Sequence, residues 1–158
     1  MRSLDLPKKG TYTLIILVPS ERWIEVGRVG FHKFLRGYYA YTGSAFGRGA
    51  QSLNGRIQRH LRKDKKKRWH IDFLLSEEDT AIIALVAAQT DKKMECEINN
   101  YMRDNLHAEI LVPKFGSSDC KEGCKSHLLF FREKENIIQE ISILYVDKIG
   151  KVPIILYF

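Results

Sequence analysis

The stretch that decides the fold is Gly10-Thr-Tyr-Thr-Leu-Ile-Ile-Leu-Val-Pro19. Apolar and β-branched residues fill it and a proline ends it, which predicts a buried strand. A second strand is predicted from Trp23 to Val29. A third is predicted over Gly37-Tyr-Tyr-Ala-Tyr-Thr-Gly-Ser44, where aromatic and β-branched residues again dominate. Because glycines punctuate the turns between them, we expect these segments to form a small antiparallel meander.

A helix is predicted where apolar residues recur at every fourth position, at Leu53, Ile57 and Leu61. Ser52 is a suitable N-cap for it. At about 100° per residue, Arg56 and His60 lie side by side at the edge of the apolar stripe, with Lys63 close by. An Arg and a His in this arrangement can line a cleft between the helix and the sheet.

Further helices are predicted over Trp69–Leu75, Lys92–Leu106 and Glu133–Tyr145. The second of them is expected to turn Met94, Ile98, Tyr101 and Met102 inward, with Glu97 at the edge of the stripe. Strands are predicted over Thr80–Ala88, apolar throughout and therefore central, and over Leu128–Phe131 and Pro153–Phe158. The fold class is α/β (α+β), with a small, mainly antiparallel mixed sheet flanked by helices. We expect one domain over residues 1–158, with a tail (1–9), a core (10–110) and a C-terminal extension (111–158).

The bulk composition is that of a globular domain, with 44% apolar and 28% charged residues among 158. No stretch approaches the roughly 20 apolar residues of a membrane-spanning helix, and Met1-Arg-Ser-Leu-Asp5 does not resemble a secretory signal. We therefore expect a cytoplasmic protein without a membrane partner. Three cysteines are an odd number, which argues against a fully paired disulfide framework.

One segment of the chain carries a net charge as large as that of the whole protein, which is +7. Residues 56–68 contain eight Lys or Arg residues and one acid, Asp64. This segment is either a solvated helix face or a surface that follows the phosphates of a nucleic acid. On the second interpretation the DNA-binding residues are Arg59, Arg62, Lys63, Lys65, Lys66, Lys67 and Arg68.

Two triplets, Gly10-Thr-Tyr12 and Tyr41-Thr-Gly43, lie on predicted strands and are followed by Leu53-Asn-Gly-Arg-Ile-Gln-Arg-His-Leu61. In this order they resemble the motifs of the GIY-YIG nuclease superfamily, in which a helix carrying an invariant Arg follows the second triplet. Both middle isoleucines are threonine here, which keeps the strand propensity. Some thirty positions separate Tyr12 from Tyr41, so Glu21–Arg36 is expected to be an insertion containing an extra strand.

Six further segments sharpen the resemblance: Tyr39–Ser44, Arg59–Leu61, Trp69–Asp72, Glu95–Glu97, Phe115–Cys120 and Cys124–His127. They look like a mostly archaeal domain of poorly defined activity, which occurs alone or fused behind endonuclease III-type DNA glycosylases. The resemblance covers about residues 10–132. It implies a hydrolase that cuts phosphodiester bonds in DNA repair or processing, with double-stranded, branched or damaged DNA as its partner. A DNA glycosylase or another repair protein is the implied protein partner.

The resemblance also implies a catalytic set. Tyr41 is the expected general base with Tyr12 as its partner, and Arg56 holds the phosphate with its planar cation. His60 hydrogen-bonds the phosphate, a tyrosine or the leaving group. A single Mg²⁺ or Mn²⁺ ion suits one carboxylate together with waters and substrate oxygens. Glu97 is the expected metal ligand, because it lies at the edge of its helix stripe, and Glu95 is the alternate.

A second group of chemically distinctive residues is Cys120, Cys124 and His127. Their spacing permits a structural Zn²⁺ site with Cys96 or His70 as a fourth ligand, although Cys96 falls opposite the apolar stripe of its helix. Buried thiols beside a capping His are the alternative.

Two other features of the sequence have both a functional and a structural interpretation. The amides of Gly116-Ser-Ser118 can in principle hold a phosphate. Asp72 with His70 can orient a substrate or close the core.

Three functions compete at this point. The first is a metal-dependent endonuclease. The second is a non-catalytic nucleic-acid-binding module that assists a partner repair enzyme, with the helix over Arg56–Arg68 as a phosphate clamp. The third is a zinc-stabilised protein whose contact with DNA is incidental. Both tyrosines, Arg56 and a candidate Glu favour the first, because binding alone does not require that set.

Overall fold

The computed structural model describes residues 4–118, 120–133 and 136–158. The seven described strands are β1 (Gly10–Val18), β2 (Arg22–Glu25), β3 (Phe31–Phe34), β4 (Gly37–Ala45), β5 (Ala81–Gln89), β6 (Leu128–Phe131) and β7 (Ile154–Tyr157). The four described α-helices are α1 (Leu53–Leu61), α2 (His70–Leu75), α3 (Glu95–Asn105) and α4 (Ile137–Ile149). The α+β class predicted from the sequence is confirmed.

The main sheet has five strands in the order β6-β4-β1-β5-β7, and all of its strand pairs are antiparallel. The central strand is β1, while β5, expected at the centre, lies beside it. Side chains of β1 alternate between the two faces of the sheet. Leu14 and Ile16 enter one hydrophobic cluster and Ile15 enters the other. Because both faces are covered, the strand is apolar almost throughout.

The expected meander is wrong in one respect. β2 pairs only with β3, in a separate two-stranded sheet, whereas β1 pairs directly with β4. The predicted strand from Trp23 to Val29 ends at Glu25 and gives way to a 3₁₀ turn, Gly27–Val29. Gly27 and Gly30 adopt positive φ of 48° and 84° there, which favours glycine. The hairpin is excluded from the main sheet because β4 and β5 already occupy both edges of β1.

The helices divide between the two faces of the sheet. Residues of α1 and α2, including Leu53, Ile57 and Ile71, pack in the first cluster, and residues of α3 and α4, including Ile98 and Ile141, pack in the second. The final helix was predicted over Glu133–Tyr145 and is described from residue 137 to 149; positions 134 and 135 of that prediction lie outside the described residues.

The basic segment is not one continuous helix, so the predicted helical phosphate clamp over Arg56–Arg68 is wrong in shape. α1 ends at Leu61, and residues 62–69 form a loop. The Nζ atom of Lys65 donates hydrogen bonds to the backbone oxygens of Arg59 and His60, both at 2.9 Å. This contact stabilises the carbonyl end of α1, where a cation is favourable.

Residues 111–158, expected as an extension of the core, contribute both edge strands of the main sheet, β6 and β7. Phe115 and Phe130 from this part of the chain are buried in the same cluster as Leu14. At the other end, Leu4 and Leu6 of the expected tail pack against that cluster. No helix among the described residues has the length and apolar character needed to cross a membrane.

Candidate active site and thiol cluster

The register of β1 and β4 brings the two motif tyrosines together. Tyr12 lies opposite Gly43, and Tyr41 lies opposite Leu14. Residues opposite each other share a face of the sheet, so Tyr12 and Tyr41 are diagonal neighbours on the α1 side. A Cβ atom on Gly43 would lie only 2.8 Å from the Tyr12 hydroxyl oxygen. Glycine at this position is therefore what admits the hydroxyl of Tyr12.

His60 lies behind the tyrosines. Its Nε2 atom is 2.8 Å from the Tyr12 hydroxyl, and its ring packs edge-on against Tyr41 at a centroid distance of 6.0 Å. The side chain is 2% exposed, and burial together with the nearby Lys65 cation lowers the pKa of His60 to about 3. Burial and the neighbouring Tyr41 raise the pKa of Tyr12 well above its ordinary value, although the nearby Arg56 cation works in the opposite direction. Both groups are therefore neutral near pH 7, and they share a hydrogen bond whose donor is set by the tautomer of His60.

Arg56 projects from α1 across the end of β4. Its Nη1 atom donates to the backbone oxygen of Ser44 at 2.7 Å, and its Nη2 atom donates to Oε1 of Gln51 at 3.3 Å. The guanidinium also lies 5.4 Å from the ring centroid of Trp69. Its Nε atom is buried without a hydrogen-bond partner, and Arg56 forms no ion pair with any acid that the structure describes. The cation is positioned by neutral groups and keeps its charge available to an anion.

Glu95, rather than the preferred Glu97, lies at the site. The Ser44 hydroxyl donates to Oε2 of Glu95 at 2.5 Å, so Ser44 contacts Arg56 through its backbone and Glu95 through its side chain. Glu97 is exposed, because two residues along a helix rotate the side chain by about 200°. The expectation that Glu97 lies at the edge facing the site is wrong, and so is the expectation that Tyr101 points inward, since it is 36% exposed.

These side chains line one cleft of about 1050 Å³. Its lining includes Tyr12, Tyr41, Ser44, Arg56, Trp69 and Glu95, together with Arg68 and Lys93. His60 is not part of the lining and reaches the cleft through Tyr12. Ser44 is the residue to which sequence reasoning gave no role. It stood in the quoted motif, but only the geometry reveals that it joins the two sides.

A second group of residues meets at the wall of the cleft, and three of its members, Cys96, Cys120 and His127, belong to the cleft lining. Cys96, Cys120, Cys124 and His127, which we call the thiol cluster, offer ligand atoms that all lie within 4.8 Å of one another. The Sγ atom of Cys96 is 3.3 Å from that of Cys120 and 3.6 Å from Nε2 of His127. The cluster is buried, except that Cys120 is half-buried, and it could bind a metal ion such as zinc.

Cys96 joins the thiol cluster although it faces away from the apolar stripe of α3. Residues 111–118 and 120–127, which we call the wall loop, cover that face, since Cys120, Cys124 and His127 lie next to Cys96. Burial and the neighbouring sulfurs of Cys124 and Cys120 raise the pKa of Cys96, so a cation is needed to hold it as a thiolate. The alternative fourth ligand, His70, is used otherwise, since its Nδ1 atom accepts a hydrogen bond from the Gly116 amide at 2.8 Å.

The wall loop also borders the tyrosines. Gly116 has φ of +68°, and a Cβ atom there would lie 3.0 Å from Cε2 of Tyr41. The expectation that its amides hold a phosphate fails for two of them, because the Gly116 amide donates to His70 and the Ser117 amide donates to the backbone oxygen of Lys114.

Asp72 closes the core beneath residues 62–69, which we call the basic loop. It is fully buried and accepts hydrogen bonds from the side chain of Arg59 and from the amides of Arg68 and Trp69. Burial opposes the charge, but the amides and the Arg59 cation prevail and lower the pKa of Asp72. Of the two interpretations of Asp72, the structural one is therefore favoured, because the carboxylate faces protein groups.

The predicted DNA-binding residues divide into two sets. Arg59, Lys63 and Lys65 are engaged inside the protein, Arg59 with Asp72 and both lysines with backbone oxygens at helix ends. The remaining four are exposed and free to face a ligand across the loop: Arg62, Lys66, Lys67 and Arg68. The exposed positive surface is therefore smaller than the composition of the segment suggested.

The fold and site thus define an α+β protein with one polar cleft and a Cys₃His cluster at its wall. Residues 11–149 match the model of the family described as Domain of unknown function DUF123. The match spans most of the chain, so the protein belongs to the DUF123 family. No curated protein and no solved structure matches the chain.

Proposed function

We propose that this protein is a metal-dependent DNA endonuclease of the GIY-YIG type, acting in DNA repair or processing. The observation that carries the proposal is the convergence in one cleft of two tyrosines, an arginine without an acidic partner among the described residues, and a carboxylate. Hydrolysis of a phosphodiester requires a group to take a proton from water, a cation to stabilise the charge on the phosphoryl oxygens, and help for the leaving oxygen. Each requirement has a candidate in this set.

Arg56 is the group that holds the scissile phosphate. Its orientation is fixed by Ser44 and Gln51, which contribute no negative charge. A guanidinium held in advance can meet two phosphate oxygens without a reorganisation cost at the moment of reaction.

Two tyrosines at the cleft are candidates for the group that takes a proton from the attacking water. A lone tyrosine is a weak base near neutral pH, and burial makes the phenolate of Tyr12 still less accessible. Tyr41, the base implied by family resemblance, is half-buried and lines the cleft, so it is the tyrosine that water can reach. A cation close to its hydroxyl, such as the divalent ion, would favour the phenolate. His60 is a poor proton acceptor near pH 7, because its pKa is lowered to about 3, and its role is to hold the Tyr12 hydroxyl at 2.8 Å.

Glu95 is the ligand for a divalent ion. Its carboxylate lies at the cleft, is held by the Ser44 hydroxyl and has open volume beside it for waters and phosphate oxygens, so this donor fits Mg²⁺ or Mn²⁺. Such an ion would stabilise the charge that grows on the phosphate in the transition state. The protein's contribution is to hold the carboxylate in the cleft that Arg56 also lines, so that the ion and Arg56 could both contact the phosphate.

The exposed cations of the basic loop supply the route by which DNA reaches the cleft. Arg68 belongs to both the loop and the cleft lining. Arg62 and Lys66 extend the same positive surface, where contacts with phosphates add affinity without reading sequence.

The test is a cleavage assay with nicked, forked and damaged DNA duplexes and a supercoiled plasmid, in Mg²⁺, Mn²⁺ or excess chelator. Wild-type protein is expected to cut in metal and not in chelator, and Arg56→Ala is expected to bind DNA but to cut at least about a hundredfold more slowly. Arg28→Ala is the matched control, because it removes an exposed cation that lies outside both the cleft lining and the basic segment.

The outcome that would replace the proposal is also specific. If the wild type binds these DNAs with a salt-dependent affinity and cuts none of them in either metal, the protein is better described as a nucleic-acid-binding module. Tyr12→Phe and Tyr41→Phe separate the two tyrosines, because only the variant of the general base should lose the rising limb of the pH–rate profile.

A further inference from the structure

We propose that the thiol cluster is a closed, four-coordinate Zn²⁺ site that fixes the wall loop against α3 and thereby sets one wall of the cleft. The four ligands come from two segments that are distant in sequence: Cys96 from the first turn of α3, and Cys120, Cys124 and His127 from the wall loop. The site is separate from the divalent-ion site at Glu95, and the proposal stands whether or not the protein cuts DNA.

The distances agree with a tetrahedral zinc ion. Zinc–sulfur bonds of about 2.3 Å place two thiolates about 3.8 Å apart around one ion. The sulfurs of Cys96 and Cys120 are 3.3 Å apart, and Cys96 lies 3.6 Å from Nε2 of His127. A disulfide requires about 2.05 Å, and no pair in the cluster is joined in this way.

The donor set selects zinc and a structural role. Three thiolates and one imidazole suit a borderline-soft ion, whereas Mg²⁺ and Mn²⁺ prefer oxygen ligands. A catalytic zinc usually keeps one position open for water, but this cluster offers a complete set of four protein ligands in a largely buried space. On binding, the cysteines lose their protons and the ion compensates the thiolate charges.

The position of the cluster explains what the ion would hold. Cys96 follows Glu95 directly on α3, so an ion bound to Cys96 would fix the turn that presents the Glu95 carboxylate. On the loop side, Phe115 is fully buried and packs edge-on against Tyr41 at 6.2 Å. Gly116 touches the same tyrosine ring. One ion therefore connects the carboxylate side of the cleft to the packing of Tyr41.

Hydrogen bonds also join the wall loop to α3 and its two halves to each other. Asn99 of α3 donates to the backbone oxygen of Ser126 at 2.6 Å. Within the loop, the Lys114 amide donates to the backbone oxygen of Lys125, and the His127 amide donates to that of Phe115. Ligands at positions 120, 124 and 127 would fix the second half of the loop to α3, and these bonds connect that half to Phe115.

The first measurement is metal content and affinity on the full chain. Protein purified under reducing conditions without added metal is expected to contain one zinc per chain by elemental analysis. Stripped protein is expected to rebind zinc with a Kd on the order of 10 nM or tighter. Cys124→Ser should lose this tight binding, whereas His107→Asn, an exposed histidine outside the cluster, should keep it. Wild-type protein that takes up no zinc, or a Cys124→Ser variant that binds as tightly as wild type, would overturn the proposal.

The second measurement needs no variant and therefore does not depend on whether Cys124→Ser folds. Co²⁺ added to stripped wild-type protein should give the visible absorption of tetrahedral coordination and the ultraviolet band of thiolate ligation. Hydrogen exchange should then slow at least about tenfold in residues 111–127 when one equivalent of zinc is added, with little change in β1. An octahedral cobalt spectrum, or equal exchange with and without zinc, contradicts the closed site or its role in the wall.

The zinc proposal and the nuclease proposal fail separately. Neither of these readouts uses DNA, so a protein that binds zinc and cuts nothing supports the first and counts against the second. A protein that cuts DNA in Mn²⁺ yet binds no zinc supports the nuclease proposal and counts against the zinc proposal.

Discussion

On one side of the cleft, α1 carries Arg56 and His60 four positions apart, and ordinary helix geometry turns both toward the tyrosines. On the other side, Glu95 and Cys96 lie in the first turn of α3, where Ser44 of β4 holds Glu95 and the wall loop supplies the partners of Cys96. The first side is built from local spacing. The second is built from tertiary contacts that a periodic pattern does not encode.

The two sides also differ in how they are held. Neutral groups hold Arg56, and a hydrogen bond to Tyr12 and packing against Trp69 hold His60, so their geometry does not depend on a bound ion. Glu95 depends on Ser44, and Cys96 depends on the other members of the thiol cluster. The comparison teaches that the cation side should be preformed and the carboxylate side should respond to metal.

Arg56→Lys gives the largest expected effect on the cation side. Lysine keeps the charge but cannot present two parallel donors to a phosphate. We expect kcat for DNA cleavage to fall at least about a hundredfold, with DNA affinity changed only a few-fold. Single-turnover cleavage beside a binding titration measures both, and an unchanged kcat would mean that charge alone suffices at this position.

Asp72→Asn tests whether the cation side is held by its buried ion pair. The variant leaves Arg59 without a buried anion, so we expect the free energy of unfolding to fall by about 3 kcal/mol. Asp104→Asn is the matched control, because the Arg103–Asp104 pair is exposed and its loss should leave the urea midpoint unchanged. Equal midpoints for wild type and Asp72→Asn would show that the Asp72 contacts do not stabilise this side.

His60 gives a pH dependence whose sign follows from its lowered pKa. Between pH 6.5 and about 3 the unfolded chain binds a proton that the folded protein does not, so stability falls as the pH falls. The slope from this group is up to about 1.4 kcal/mol per pH unit. Urea unfolding from pH 7 to 5 should show a shallower slope in His60→Gln than in wild type, and the exposed His107→Asn variant should keep the wild-type slope. The same slope in all three proteins contradicts a buried neutral His60.

The basic segment gives the smallest effects. Lys63→Met removes hydrogen bonds to the backbone oxygens of Leu75 and Glu77, and should lower stability by about 1 kcal/mol. Lys66→Ala should leave stability unchanged and reduce the salt slope of DNA binding by about one. The reverse pattern would mean that Lys63 faces the DNA and that the division into internal and exposed cations is wrong.

The sequence predicted the elements of the fold well where one period dominated. The apolar run of β1 forms the predicted strand, and Leu53 and Ile57, which are four positions apart, lie in the predicted helix. Ser52 is the N-cap of this helix, as predicted, and accepts a 3.1 Å hydrogen bond from the Gly55 amide. Strand pairing was harder, because local pattern does not say which strands are neighbours. The β2–β3 hairpin resembles a continuation of the meander in sequence, yet the sheet has no free edge for it beside β1.

The candidate site was predicted in part for the same reason. Arg56 and His60 followed from helical spacing, and their approach to Tyr12 required only the expected strand order. Glu95 was ranked below Glu97 because an apolar stripe identifies the buried face of α3 and not the face that the wall loop covers. The same pattern argued against Cys96 as a zinc ligand, because Cys96 lies on the face of α3 opposite the apolar stripe. Too many lysines were predicted to contact DNA, because composition does not distinguish a lysine that binds a helix end from one that is exposed.

The most direct test of the proposed site compares two adjacent acids on one helix. Glu95→Gln and Glu97→Gln change the same charge by the same amount, two residues apart, and only the first carboxylate lies at the cleft. In a Mn²⁺-supported DNA cleavage assay, Glu95→Gln should lose at least about a hundredfold in rate while Glu97→Gln cuts within about twofold of wild type. Full activity in Glu95→Gln, or loss confined to Glu97→Gln, would contradict the account of the cleft as a metal-dependent nuclease site.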